Sequence, residues 1–349
     1  MKIVLDAMGG DNGAGPIIAG LQAALSARSD FSAIVVGDEG EIRKHITPNE
    51  RVAIHHCTDF IRMEESATTA LKKKDSSIYQ AVEIVCEDKG DVVISAGHSG
   101  SSMSLATLKF GRVSGVSRPA ICTTMPSISA NPSIILDAGA NVDCKAEHLV
   151  QFAKMGYEYA KSVLGYANPR VGLLANGEED SKGNELTKEA FKSLKNLPYF
   201  KGNVEGNDIF NASVEVIVCD GFDGNLVLKA SEGVAEAIST ILKEEISKSL
   251  RYKIGALLMK GVFKALKKRT HYAEYGGAPL LGVNKNLIIC HGKSNARAIE
   301  CAIYQGISAV QSRVVEKIAR VFEKDLGADL GNDSRAESHQ NSRKDSKDS

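Results

Sequence analysis

Short β-rich runs recur along this 349-residue chain, each ending in glycine or a small polar residue and each followed by the apolar spacing of a helix. The first is Ile3 to Ala7, followed by a Gly-rich turn from Met8 to Pro16 and helical spacing from Ile17 to Ala27. The same order returns at Ser32 to Gly37, Asp91 to Ser95, Arg170 to Ala175, Val214 to Cys219 and Asn286 to Cys290. Strands alternating with helices must be joined by crossovers. The predicted fold class is therefore α/β, a three-layer α/β/α arrangement around a mostly parallel sheet. Ligands of such sheets bind beyond the carboxyl ends of the strands, where these glycine turns fall. The 32 glycines, few aromatics and absence of Trp suit such a chain better than an aromatic-rich sandwich.

Two regions break the rhythm. Residues 222–269 read as almost continuous helix, which suggests a dimerisation or membrane-facing element within a domain spanning 1–322. From residue 323 to 349 the aliphatic supply fails and Ser, Asp, Asn, Lys and Arg take over, so a disordered polar tail is expected. The 43 basic and 43 acidic side chains cancel, leaving no surplus of cations to displace counterions, so no nucleic-acid partner is expected. Cys57, Cys86, Cys122, Cys144, Cys219, Cys290 and Cys301 form no C-x-x-C pair, which predicts reduced, buried thiols rather than a disulfide framework or zinc cluster. Asp6 interrupts the first apolar run too early for a signal-peptide core. No uncharged apolar run approaches the roughly 18 residues of a spanning helix. A cytoplasmic protein that touches a membrane from one side at most is the expectation.

Six segments carry candidate chemistry. Asp6 to Gly15 follows the first strand, and Gly9 and Gly10 would let backbone N–H groups approach an anion at a helix N-terminus, with Asp6 and Asp11 beside them. The alternative is a tight turn without ligand. The dinucleotide fingerprint fails because Ile18 stands where Gly13 and Gly15 require a third glycine. Ser95 to Ser102 again joins strand to helix; His98, Ser99 and Gly100 could cradle a phosphate or carbonyl, or His98 could be a structural loop residue. The G-x-S-x-G spacing of a hydrolase nucleophile is absent there. Asn176 to Glu185 crowds three acids near Lys182, which allows a metal site, a solvated loop or a clamp that positions the lysine.

Cys219 to Asn225 places Asp220, Gly221 and an amide, Asn225, ahead of a helix; the amide could donate to an oxyanion, and Asp223 could equally serve an N-capping turn. Glu274 to Gly282 has Walker-type glycine spacing, but Val283 and Asn284 replace the Lys and Ser/Thr of a P-loop. Residues 251–269 contain seven bases and no acid, with Ile254, Leu258, Val262 and Leu266 every four residues. That pattern fits a basic amphipathic helix, with Lys253, Leu257, Leu258, Lys260, Phe263 and Lys264 meeting an anionic membrane or an acidic protein. A core helix with solvated lysines is the other reading.

Taken in order, DAMGGD, SAG-x-[ST]-G, LD-x-GANVDC, NGEE-x-x-KGNELTKEA, CDGF-x-GN-x-x-LK and EYGGAPLLGV followed by HG-x-SNA resemble the bacterial phosphate acyltransferase family, from Met1 to about Phe322. The resemblance implies conversion of acyl-[acyl carrier protein] and inorganic phosphate to acyl phosphate at the start of phospholipid synthesis. It also implies a Rossmann-like fold related to the phosphotransacetylases and isocitrate dehydrogenases, a homodimer, and peripheral association with the inner face of the membrane. Lys182 and Asn225 match the family's catalytic Lys and Asn, while Asp6, Gly9, Gly10, Asp11, His98, Ser99, Gly100, Asn184, Asp220 and Gly221 are assigned to substrate. His98-Ser99-Gly100 departs from the Asn-Thr-Gly of many members, so His98 replaces an amide under this resemblance. No cofactor or metal is implied, and a glycerol-3-phosphate acyltransferase is the expected downstream partner.

The chemistry agrees with those residue types. Phosphate is a nucleophile near neutrality and a thiolate is a tolerable leaving group, so the demand is for positioning and oxyanion stabilisation rather than for a covalent nucleophile. A nicotinamide dehydrogenase of related fold, and a scaffold that recruits acyl carrier protein without catalysis, are the competing classes. The first is tested by NAD titration, the second by carrier binding without phosphate-dependent thioester loss.

Overall fold

The computed structural model describes residues 1–129, 131–270, 274 and 276–324, without the side chains of 267 and 270. Among them are eleven strands in one sheet: β1 Lys2–Asp6, β2 Ser32–Gly37, β3 Val52–His56, β4 Val92–Ser95, β5 Ala120–Met125, β6 Ser133–Leu136, β7 Val171–Leu174, β8 Phe200–Val204, β9 Val216–Val218, β10 Ala278–Leu281 and β11 Asn286–Ile289. The helices are α1 Ala14–Ala27, α2 Glu39–Arg43, α3 Ser77–Cys86, α4 Ser99–Lys109, α5 Ala146–Ser162, α6 Glu185–Leu194, α7 Asp208–Asn211, α8 Gly221–Ser247, α9 Leu250–Leu258, α10 Lys260–Thr270 and α11 Ala296–Ser312, and helix continues over 314–324. Residues 323 and 324, expected to open a disordered tail, are instead helical; the rest of that tail lies outside the described residues.

Sheet order is β3-β2-β1-β4-β11-β10-β5-β6-β9-β7-β8. Strands β3, β2, β1, β4 and β11 are parallel, and so are β6, β9, β7 and β8. Between these two wings β10 pairs antiparallel with both β11 and β5, and β5 pairs antiparallel with β6. The wings therefore run in opposite directions. Their carboxyl ends, and the glycine turns that follow, lie at opposite edges of the sheet rather than along one edge.

Successive strand residues feed different layers, as the two-residue pleat requires. Ile3 and Leu5 pack with α1 and α11 through Ile17, Leu21, Ile299 and Ile303, whereas Val4 faces α3 and α4 through Val82 and Leu105. In the second wing, Ile134 and Leu136 bury against Phe152, Met155 and Tyr159 of α5, while Ile135 and Ile217 face the smaller group around Ile209. Each such side chain, fully buried, contributes ~1.5–3 kcal/mol. Helix α1 begins at Ala14 rather than Ile17, so Gly15 and Pro16 lie in its first turn and not in the preceding loop. Pro16 fits there because first-turn N–H groups lack an intrahelical partner.

Candidate active site

At the first wing's carboxyl edge, Asp6 ends β1 beside Ser95, its in-register neighbour on β4. The Ser95 hydroxyl donates to Asp6 Oδ2 at 2.7 Å and the Met8 N–H donates to Oδ1 at 3.2 Å, while Ser95 Oγ accepts from the Gly97 N–H at 3.1 Å. Asp6 is 1% exposed, and burial pushes its carboxyl above the usual range. It ties two turns together from beneath. Above it Gly9 meets Gly97 backbone to backbone, since a methyl group on Gly9 would lie 2.4 Å from Gly97 Cα. Gly10 stands beside Gly292, and the exposed Asp11 donates its N–H to the Gly292 carbonyl at 2.9 Å.

His98 is the N-cap of α4. Its Nδ1 accepts from the Ser101 N–H at 3.1 Å, so that nitrogen is used structurally and Nε2 is the position left for a donor. An asparagine would divide its side chain in the same way, Oδ1 capping and Nδ2 donating. The geometry therefore matches an amide substitute better than a general base. Ser99 is exposed and Gly100 half-buried at the same helix start.

Lys182 and Asn225 stand at the other edge, Lys182 on the loop that follows β7 and Asn225 near the start of α8, which follows β9; β7 and β9 pair in register at Leu173 and Val218. The 176–184 loop is fixed internally. Gly183 N–H donates to Asn176 Oδ1 at 2.8 Å, Lys182 N–H to the Glu179 carbonyl at 2.9 Å, and Asn203 Nδ2 to the same carbonyl at 2.9 Å. Asn184 caps α6, accepting from the Thr187 N–H at 2.9 Å. Lys182 itself is exposed, and its ammonium pairs with no acid among the described residues. The expected clamp of Glu178, Glu179 and Asp180 on the lysine head is thus absent there; the backbone, not the acids, positions this residue.

Asp220 is the N-cap of α8, its Oδ1 accepting from the Asp223 N–H at 2.8 Å, so Asp220 rather than Asp223 does the capping. Burial and the Asp220 charge push the Asp223 carboxyl up. Both acids already occupy the positive end of the helix dipole, so an anion bound nearby would depend on a side-chain cation. The N–H of the buried Gly221 donates to the Asn141 carbonyl at 2.8 Å. Asn225 is half-buried in the next turn, with no side-chain hydrogen bond among the described residues.

Sequence reasoning passed over one residue here. Asp137, directly after β6, is fully buried and accepts five hydrogen bonds; its signal was the LD-x-GANVDC string, visible only as part of a resemblance.

The basic segment forms α9 and α10, beyond the long α8, whose only buried residues are Gly221 and Gly224. Leu257 is 69% and Leu258 83% exposed, with Lys253, Lys260 and Lys264 exposed around them. Phe263, expected on the same face, is instead half-buried. Arg269 is anchored to the body, Nη2 donating to the carbonyls of Ser127, Ile128 and Ser129 at 3.2, 2.7 and 3.0 Å. Among the described residues no helix is long and apolar enough to cross a membrane.

The solved structures that this architecture is similar to include a phosphotransacetylase from Streptococcus pyogenes, with TM-score 0.56 and 18% identity over 89% of this chain and 94% of that one. Another is a branched-chain phosphotransacylase from Enterococcus faecalis, with TM-score 0.57 and 11% identity over 89% and 99%. At those identities the likeness establishes the α/β fold alone. Sequence relatives go further. Residues 1–317 match the family described as fatty acid synthesis protein. A phosphate acyltransferase of Helicobacter hepaticus is 60% identical over 92% of this chain and 97% of its own length, and one of Wolinella succinogenes is 58% identical over 92% and 98%. With a family match over nearly all the described chain and relatives at this identity, the protein belongs to the phosphate acyltransferase family and is an acyltransferase.

Proposed function

We propose that the chain transfers the acyl group of an acyl-[acyl carrier protein] to inorganic phosphate, giving acyl phosphate and free carrier for phospholipid synthesis. The observation that carries this reading is the pair Lys182 and Asn225, an ammonium and an amide with no side-chain partner among the described residues, one on the loop after β7 and the other at the start of the helix after the adjacent β9. A phosphate oxygen attacks the thioester carbonyl, forming the P–O–C linkage. The tetrahedral oxyanion then collapses with cleavage of the C–S bond, and the departing thiolate takes a proton from solvent. Lys182 offsets the phosphate charge and Asn225 donates to the oxyanion. A covalent cysteine route fits poorly, because burial pushes all seven thiols up, Cys57, Cys144 and Cys290 to about 12 and Cys301 to about 11.

Incubating the purified protein with an acyl-carrier thioester tests the reading. Acyl phosphate and free thiol should appear in equal amounts, and only with phosphate present. Thiol release without phosphate, or carrier binding with the thioester intact, refutes it.

Helices α8, α9 and α10 support two further parts of this reading. The exposed Leu226, Val234, Ile238 and Ile241 on α8 suit a homodimer contact, and the Leu257-Leu258 tip among lysines suits peripheral contact with an anionic membrane. Acyl phosphate, a reactive mixed anhydride, would pass there to a glycerol-3-phosphate acyltransferase. Vesicles containing anionic lipid should capture the protein at low salt and release it as the Debye length shrinks from about 10 Å at 0.1 M to about 3 Å at 1 M. Equal capture by neutral vesicles would assign the basic patch to the acidic carrier instead.

A further inference from the structure

We infer that Asp137 is a positioning residue for Asn225, holding the loop that seats the amide and withdrawing that loop's own N–H groups from catalysis. The inference rests on the reading of Asn225 as an oxyanion donor.

Asp137 Oδ1 accepts from the N–H groups of Ile121 at 2.9 Å, Gly139 at 3.2 Å and Ala140 at 3.0 Å. Oδ2 accepts from Asn141 N–H at 2.7 Å and Asn141 Nδ2 at 2.9 Å. All five partners are N–H donors, and four belong to residues 139–141, so this carboxylate folds the loop around itself. Three consecutive backbone N–H groups that could have formed an oxyanion hole therefore point inward. The organised loop then meets α8 at two places. The Asn141 carbonyl accepts from Gly221 N–H at 2.8 Å. The Asn225 side chain lies against Gly139, where an added methyl would come within 3.5 Å of Asn225 Cβ and Cγ and 3.7 Å of Oδ1. Asn141 Nδ2 also donates to the Pro119 carbonyl at 2.8 Å, bracing the assembly against the segment before β5. Releasing the carboxylate would loosen the surface on which Asn225 rests.

A double-mutant cycle reads this directly. Asp137→Asn keeps the side-chain volume but puts an NH2 against N–H donors. It should lower kcat on the order of tenfold or more, as a misplaced catalytic group does, while KM for the carrier thioester holds. In an Asn225→Ala background the same change should have almost no further effect on kcat, because the residue it positions is gone. An unaltered kcat in Asp137→Asn, or an equal loss in both backgrounds, overturns the inference. An Asn225→Ala enzyme with full kcat removes the donor reading itself, and the positioning role with it. Should Asp137→Asn fail to fold, Asn141→Ala takes its place in the cycle. That variant cuts only the Asn141 Nδ2 bonds to Asp137 and Pro119, and a loss of kcat that vanishes in the Asn225→Ala background remains the required result.

Discussion

Lys182→Ala is expected to lower acyl-phosphate formation on the order of 10²-fold or more with little change in thermal stability. The two halves of that expectation have separate causes. The ammonium is exposed and makes no ion pair among the described residues, so its removal leaves nothing buried and unsatisfied; surface changes of this kind usually stay within ~0.5 kcal/mol. The position of the residue survives as well, because its N–H bond to the Glu179 carbonyl and the Gly183 and Asn184 contacts are made by other atoms. What is lost is the side-chain cation of this loop, beside a helix start that already holds Asp220 and Asp223. Phosphate would then approach two carboxylates without compensation. Raising phosphate should not restore the rate if the ammonium acts on the transition state, because kcat itself has fallen, whereas it should if the ammonium only holds phosphate in the ground state, where KM alone rises. Wild-type kcat/KM in a well-folded Lys182→Ala enzyme sinks the assignment. Lys182→Arg should recover part of the loss, since charge is kept while the planar guanidinium replaces a compact point charge.

The strands legible in the sequence were those whose apolar run is closed by a short glycine or small-polar turn before a helix. β1, β2, β4, β7, β9 and β11 each carry the run, turn and helix order, and each is found within two residues of its expected bounds. β5, β6 and β10 were not legible: β5 and β10 pair antiparallel with both of their neighbours and need no crossover helix, β6 is separated from α5 by a long loop, and the short runs AICTTM, SIIL and APLL have too few residues for periodicity to separate them from other apolar segments. Yet these strands set the relation between the two wings, and so put Asp6 and His98 at one edge and Lys182 and Asn225 at the other. Local chemistry was more legible than mutual placement. A capping turn ahead of α8 was legible, though Asp220 rather than Asp223 makes it, while Asn184, assigned to substrate by the resemblance, is the N-cap of α6. The acid clamp on Lys182 was misjudged because neighbours in sequence need not point at one another. Asp137 escaped because its five donors are almost all backbone N–H groups, which no side-chain pattern announces.

Gly224→Ala should both destabilise the protein and abolish most activity. A methyl group there would lie 1.9 Å from the Asp137 carbonyl oxygen, 3.0 Å from its carbonyl carbon and 2.9 Å from Cys219 Sγ. The nearest obstructing atom, the Asp137 carbonyl oxygen, is main chain, held by the Asp137 N–H bond to the Cys219 carbonyl at 3.0 Å and by the five bonds to the Asp137 carboxylate, so no rotamer change relieves the overlap. Overpacking of this kind costs about 1–3 kcal/mol, and a backbone obstacle places the expectation at the upper end. The chain can respond only by moving the start of α8 outward. Asn225 is the next residue and moves with it, and a displacement of about 1 Å at a reacting group costs on the order of 10²-fold in rate. Gly255→Ala provides the contrast. That glycine lies within α9 with nothing inside 4 Å, so the same methyl should leave activity intact and stabilise the helix by ~0.5–1 kcal/mol. Measured side by side, the melting temperatures of the two variants should therefore shift in opposite senses, and only Gly224→Ala should lower the acyl-phosphate rate. If Gly224→Ala melts and turns over like the parent protein, the close passage of α8 over Asp137 is not what seats Asn225.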